Sequence, residues 1–325
     1  MQVRTRSQGR KYWRIIVGFF LGVWLSACGA AINSTDGNTQ PSVVSTSTIL
    51  TDWATQVGGT QLVQITGILQ PGQDPHVYEP VPRDTVALEK ADLILYNGYN
   101  LEPGLIKLIN AAGVNVRKLA VGEVVQPLQL DKQGTTVPDP HVWGDVENAI
   151  AMVNAIRDGL IELAPENQDI FTKNAAQYTA QLEQLDTWVA QQIQTIPAPN
   201  RRLVTTHDAF QYYARAYGLE IFGTLIGIST EEQPSAQTVR KLADAIQSAN
   251  VPAIFAETTI NPALIQTVAA EAGVKLAQRE LYSDSLGAAG SDADSYIEMI
   301  VANTQTIVES LGGNYTPFAL TTTQP

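Results

Sequence analysis

The sequence predicts an α/β protein of two lobes, each a mainly parallel sheet covered by helices, joined by one long rigid helix. Three features predict it. Short apolar, β-branched runs alternate with amphipathic stretches of about 10–15 residues, a pattern that implies parallel strands with helical crossovers. The alternation occurs twice, over residues 43–165 and again over 198–325. Between the two blocks lies one uninterrupted amphipathic stretch, and a length of 325 residues accommodates two such units.

In chain order, Val43–Leu50 (VVSTSTIL) reads as the first strand, Leu62–Ile68 as a second and Leu93–Tyr96 (LILY) as a third, preceded by a helical Thr85–Ala91. Leu105–Ala112 is helical and Gly113 ends it. The linking helix, residues 166–197, carries Phe171, Ala175, Tyr178, Leu182, Leu185, Val189, Ile193 and Ile196 on a single stripe. No Gly or Pro interrupts that stripe, and Pro197 and Pro199 stop it. At 1.5 Å per residue the stretch is on the order of 45 Å, enough to run the height of both lobes. In the second block Leu203–Thr206, Ala253–Ala256 and Val274–Ala277 read as strands. Asp208–Tyr217, Ser235–Ala249, Pro262–Ala272 and Ser295–Leu311 read as helices. Asp292 and Asp294 are expected at the start and cap of the last one.

The chain is 44% hydrophobic and 16% charged, enough apolar material for a substantial core. With 20 Lys+Arg against 32 Asp+Glu, the net charge of −12 argues against nucleic-acid binding. A single cysteine excludes an intrachain disulfide, a CxxC redox pair and a cysteine-based zinc module. Residues 1–14 carry Arg4, Arg6, Arg10, Lys11 and Arg14 and no acid, and the apolar run Ile15–Ala27 follows. That run is short for a membrane span but suits a signal peptide. It ends in Leu25-Ser26-Ala27-Cys28, which resembles a bacterial lipobox, and the lone cysteine falls at the lipidated position. Residues 1–27 are therefore expected to be a lipoprotein signal peptide and 28–42 a flexible tether, with lipid on Cys28 anchoring a soluble domain to a membrane surface.

The chain has three histidines. His76 and His141 both sit in Asp-Pro-His-Val-aromatic, where Pro stiffens the loop that presents the imidazole. The Asp two residues earlier is a candidate acceptor for the ring N–H not used on a metal. His207 follows a strand and precedes a helix, at the carboxyl end of a parallel strand, where open α/β sheets collect ligands. A lone loop histidine is ordinarily structural, but three of three in constrained polar loops suggest a transition-metal site. Asp284, in a second strand-end loop, is the choice for a fourth ligand, although on spacing alone an Asx-turn or helix cap is the stronger reading of it.

The segments DPHVYEP, DPHVWGDVENA, TTHDAFQYYARAYGL, IFAETTINP and LYSDSLG together resemble the zinc/manganese-type metal-binding lipoproteins of bacterial ABC importers, the cluster 9 solute-binding proteins, which include adhesin-type lipoproteins. The likeness runs from the lipobox to about Leu311. It implies two α/β lobes on one long helix with a divalent metal ion, Zn²⁺ or Mn²⁺, held between them as cargo. Carried over by motif, His76 and His141 come from the first lobe and His207 and Asp284 from the second, with Glu257 behind the ligands. It further implies a monomeric protein exported to the periplasmic or extracellular face, tethered by Cys28, and serving a membrane permease.

Three imidazoles and one carboxylate favour Zn²⁺, with Mn²⁺ a close second if Asp284 binds through both oxygens. Manganese-preferring relatives often carry Glu at the position of His207. Many zinc-specific ones have a His-rich loop near the second histidine, whereas Val121–Val137 contains no His. An exported zinc metallohydrolase is the rival reading, since His₃ with an open position also holds catalytic zinc. No HExxH, GxSxG, phosphate loop or CxxC is present, and the expectation is that the protein is not an enzyme. Calcium binding by Asp284, Asp292, Asp294 and Glu298 lacks EF-hand spacing. A surface adhesin without a transport role is the remaining alternative.

Overall fold

The computed structural model describes residues 40–321, apart from 113, 114 and 133. The expected signal peptide, Cys28 and the expected tether up to residue 39 lie outside the described residues, and Ser42, expected in the tether, already belongs to β1. The first half contains β1 (Ser42–Ser45), α1 (Thr48–Gly58), β2 (Gln64–Gly67), α2 (Pro82–Lys90), β3 (Leu93–Tyr96), α3 (Pro103–Ala111) and β4 (Arg117–Ala120). A hairpin, β5 (Gln129–Lys132) and β6 (Thr135–Pro138), then leads to α4 (Val146–Leu163). The strands form one parallel sheet in the order β2-β1-β3-β4. The helix α5 (Gln168–Gln194) follows. The second half comprises β7 (Arg202–Thr205), α6 (Gln211–Tyr217), β8 (Glu220–Thr224), α7 (Ala236–Ala249), β9 (Ala253–Ile254), α8 (Ala263–Ala272), β10 (Lys275–Leu276) and α9 (Tyr296–Ser310). There β7 pairs with β8 and β9 with β10, both parallel, and the Phe255 N–H donates to the Val204 carbonyl between the pairs.

The alternation of side chains along a strand decides where the cores lie. Val43, Leu93 and Leu95 face one apolar cluster, whereas Val44 and Ile94 face another beneath Leu88, Leu105 and Ile109 of α2 and α3. In the second half Leu203, Ala253 and Phe255 face the first cluster, while Val204 and Ile254 pack under Val239 and Ile246 of α7 and Val268 of α8. The shared cluster is filled by Phe171, Ala175, Tyr178, Leu182, Leu185, Val189, Ile193 and Ile196, the whole stripe expected from the sequence. Thus α5 packs against α1 and α4 on one side of the molecule and α6 and α9 on the other.

The helix is 27 residues long and somewhat shorter than expected, because Pro165–Asn167 form a 3-10 turn before it. The first strand is also shorter. It ends at Ser45, and the Ser47 hydroxyl accepts the Leu50 N–H to cap α1, so a Ser/Thr-rich run that reads as strand is in part a helix start. The last helix is capped by Ser295, which accepts from the Glu298 N–H, and not by the preceding acids. Asp292 instead accepts from the Tyr282 hydroxyl and Asp294 from the Gly290 N–H. α7 and α8 end on Asn250 and Gly273 in the left-handed conformation.

Candidate metal centre

The shared Asp-Pro-His sequence folds the same way twice. Asp74 Oδ1 accepts the His76 N–H at 2.9 Å and Asp139 Oδ1 accepts the His141 N–H at 3.0 Å, two Asx-type turns that fix each imidazole's departure from the backbone. From there they diverge. Asp139 Oδ1 also lies 2.7 Å from His141 Nδ1, whereas Asp74 Oδ2 accepts from the Thr230 hydroxyl of the second lobe at 2.6 Å. His207 follows β7 and is held by Glu257, which follows β9. One Glu257 oxygen accepts the His207 N–H at 2.8 Å and the other lies 2.5 Å from Nδ1. Asp284 lies beyond β10, in a loop joined to the end of β9 by the parallel bridge between Glu257 and Leu281.

These elements bring His76, His141, His207 and Asp284 to one point, with a ligand atom from each within 4.8 Å of all the others. His76 is 4% exposed and the other three 0–1%. The Nε2 atoms of His76 and His141 are 3.2 Å apart, His207 Nε2 is 3.2 Å from Asp284 Oδ2, and His141 Nε2 is 3.5 Å from Asp284 Oδ1. Tetrahedral ligands at a metal–nitrogen distance of about 2.0–2.1 Å would be about 3.4 Å apart, so these three pairs have coordination spacing, while His76 Nε2 stands wider, 3.9 Å from Asp284 Oδ2. With the Nδ1 protons of His141 and His207 directed at Asp139 and Glu257, their Nε2 lone pairs point inward. His207 Nε2 and both Asp284 oxygens are buried without a hydrogen bond, an arrangement that costs stability unless a cation lies among them.

The electrostatics agree with that demand. Burial pushes the Asp284 carboxyl upward, but His207, His141 and His76 outweigh it and hold the group below the ordinary carboxylate range. At His207 burial opposes protonation, and the charges of Glu257 and Asp284 outweigh burial, raising the imidazole well above its usual value. Trp143 packs edge-on against the His141 ring, centroids 5.4 Å apart, and its Nε1–H donates to the Ser283 carbonyl beside Asp284. A cavity of about 850 Å³ opens beside the centre, and of the four residues only His76 lines it.

Every candidate residue from the sequence that falls in the described part is therefore at this one place. Glu257 stands behind His207, and Asp139 holds His141 as expected for the nearby carboxylate. Asp74 does not hold a ring nitrogen and bonds across to Thr230 instead. Thr230 and the Trp143–Ser283 bond escape sequence reading, since neither has a local signal. Tyr212, Tyr213 and Tyr217 are core, with the Tyr212 hydroxyl also donating to the Asp139 carbonyl.

Comparison with known proteins gives the same direction. Residues 43–310 match the family model described as zinc-uptake complex component A, periplasmic. The chain is 33% identical over 288 residues to the manganese-binding lipoprotein MntA of Halalkalibacterium halodurans, covering 88% of this chain and 94% of that protein. It is 36% identical over 289 residues to the zinc-binding protein TroA of Treponema pallidum, covering 88% and 92%. The solved structure of that periplasmic zinc-binding protein superposes with a TM-score of 0.80 at 35% identity, over 84% of this chain and all but 1% of the other.

Proposed function

The chain belongs to the periplasmic zinc-uptake component A family, and on that premise we propose that it is an extracytoplasmic solute-binding protein that captures one divalent transition-metal ion and delivers it to an ABC importer permease. His76, His141, His207 and Asp284 hold the ion, and Glu257 orients His207 from behind. The observation that carries this reading is the convergence of three imidazole nitrogens and an unbonded, buried carboxylate at coordination spacing. The first lobe, 43–165, supplies two ligands and the second, 198–325, the other two, with the helix of 166–197 between them. Capture at the junction lets the permease distinguish the loaded from the empty protein by the arrangement of the lobes.

Three nitrogens and a carboxylate favour Zn²⁺ in intrinsic affinity, with Mn²⁺ close behind if both Asp284 oxygens bind. The relatives' names contain both metals. With the carboxylate in the fourth position no open site is left for an activated water, so the centre suits cargo better than hydrolysis. The protein is exported, a monomer, and tethered through lipid on Cys28.

Metal stoichiometry tests the reading. The chelator-stripped protein, residues 29–325, is offered Zn²⁺ and Mn²⁺ together and the retained metal is counted. One ion per chain is expected, lost in His207→Ala and weakened in Asp284→Ala. A folded protein that retains no stoichiometric ion would overturn the assignment.

A further inference from the structure

The turn that follows β3 is an unusual piece of backbone. Gly98, Tyr99 and Asn100 occupy the left-handed region in succession, with φ of 85°, 49° and 59°. Gly98 and Asn100 adopt that region readily but the Tyr99 side chain disfavours it, so something outside the turn holds it. Two acids supply that support: Glu123 Oε1 accepts the Tyr99 N–H inside the turn at 3.2 Å, and Glu102, 1% exposed, holds its entry, its Oε1 accepting the Asn97 N–H at 2.7 Å and the Thr46 hydroxyl from the end of β1 at 2.8 Å. Its Oε2 is buried with no partner. Leaving a buried carboxyl oxygen bare is unfavourable, so the group is a poor choice for filling space and a good one for gathering donors.

Asn97, held this way, is 1% exposed and reaches the metal centre. Its Nδ2–H donates to the Pro140 carbonyl at 2.9 Å, the carbonyl immediately before His141. Behind it the Asn97 carbonyl accepts the Gly122 N–H at 2.9 Å, and a Cβ on Gly122 would stand 2.7 Å from that same oxygen. Asn97 is thus fixed on two sides, and its third contact fixes the main chain at His141. Asp139, which holds the His141 ring, sits on the same loop; Tyr212 and Leu128 tie that loop at Asp139, and Asn97 is the contact that ties it to the end of β3.

We propose that Glu102 and Asn97 are positioning residues for the metal centre: Glu102 holds the backbone of Asn97 at the entry to the left-handed turn after β3, and Asn97 so held pins the Pro140 carbonyl and with it the placement of His141. This rests on the metal-binding reading above and adds residues that do not touch the ion. Burial lifts the Glu102 carboxyl to about 7, so the neutral acid, which glutamine resembles, is well populated near neutral pH. Glutamine keeps the accepting oxygen, and alanine removes it.

The test measures Zn²⁺ affinity of the full chain by competition with a chromophoric chelator, for Glu102→Ala, Glu102→Gln, Asn97→Ala and the Ala/Ala double variant. Glu102→Ala and Asn97→Ala should each weaken binding about tenfold or more, the scale seen for residues that orient ligands, and Glu102→Gln should remain within about threefold of the parent. The double variant should be no weaker than the weaker single one, since both act through one chain of contacts. Penalties that add, a Glu102→Gln loss equal to that of alanine, or Asn97→Ala binding like the parent would overturn the proposal. The His141 imidazole signals of the metal-free protein give a second readout: they should move in both alanine variants and stay in place in Glu102→Gln. If the parent binds no Zn²⁺ the metal reading fails, whereas the imidazole signals still decide whether Asn97 and Glu102 position His141. Should Glu102→Ala not fold, Asn97→Ala and Glu102→Gln carry the decision.

Discussion

At His207 two carboxylates act on one imidazole from opposite ends. Glu257 takes the Nδ1 side, Asp284 faces Nε2, and together they raise the ring's pKa above the ordinary value of 6.5 despite its burial. A metal needs the neutral ring, so protons and metal compete. Zn²⁺ affinity should therefore fall as pH drops, with the decline beginning above pH 6.5, and calorimetric titrations from roughly pH 8 to pH 5 would show it. A flat profile would remove the histidines from the ligand set. For the metal-free protein the sign is different. The raised pKa of His207 contributes stability below the unfolded value that is lost as pH rises through the folded one. The depressed Asp284 contributes stability above 3.8 that is lost as pH falls further into acid. The apo protein should accordingly melt at a lower temperature at alkaline pH than at roughly pH 6, by scanning calorimetry. Glu257→Gln keeps the size of the side chain and removes its charge. It should weaken Zn²⁺ by about 10- to 100-fold while one ion per chain still binds at saturation.

Among the elements, α5 carries the most. Its stripe was readable because apolar residues at steps of three and four can face only one side of a helix. Both halves of the molecule use that side: the stripe meets α1 and α4 as well as α6 and α9. Leu182→Ala, at a fully buried position, should destabilise the fold by about 2–5 kcal/mol in denaturant titrations. Because the helix serves both halves, a single cooperative transition is expected, and two separated transitions would show that the halves do not share a core. The shorter elements were harder to read. Ser45 to Thr48 has strand composition, yet the Ser47 cap bond makes it a turn into α1, since hydroxyl side chains serve both uses. The strands β4, β5, β6 and β8 and the helices α1 and α4 are not assigned from the sequence, although Ser47 and Asp145 cap the two helices in the structure, because short strands and hydroxyl- or acid-started helices carry no pattern of their own that excludes a turn.

Across the whole molecule, the halves are bound by hydrogen bonds as well as by the shared core. Thr230 meets Asp74, Trp143 meets the Ser283 carbonyl, and the Ser285 hydroxyl accepts the Gly72 N–H at 2.8 Å. The Leu286 N–H donates to the Thr48 hydroxyl, and the Tyr296 hydroxyl to the Trp143 carbonyl. A wide hinge opening would break these together and expose the core around α5. Metal binding is therefore expected to change the radius of gyration by less than about 1 Å, out of roughly 19 Å for a compact chain of this size, in small-angle scattering. Trp143, packed on the His141 ring, should still report binding by a change in fluorescence. A larger contraction would mean that the lobes move as hinged bodies.

The sequence by itself determined the α/β class, the long helix, and the three histidines of the candidate centre. Periodicity is a local property, and histidines in two copies of one stiff loop are conspicuous when the chain has only three. Asp284 is a different case: its spacing favoured a turn or a cap, and the likeness to a family, not its neighbours in the chain, singled it out. Only the tertiary structure decided that its two oxygens face three imidazoles and bond to nothing else. It also decided that Asp74 reaches Thr230 while Asp139 holds its own histidine, although the two motifs read alike. Partners separated by 156 residues meet because of sheet order and helix packing, and no local pattern encodes that distance.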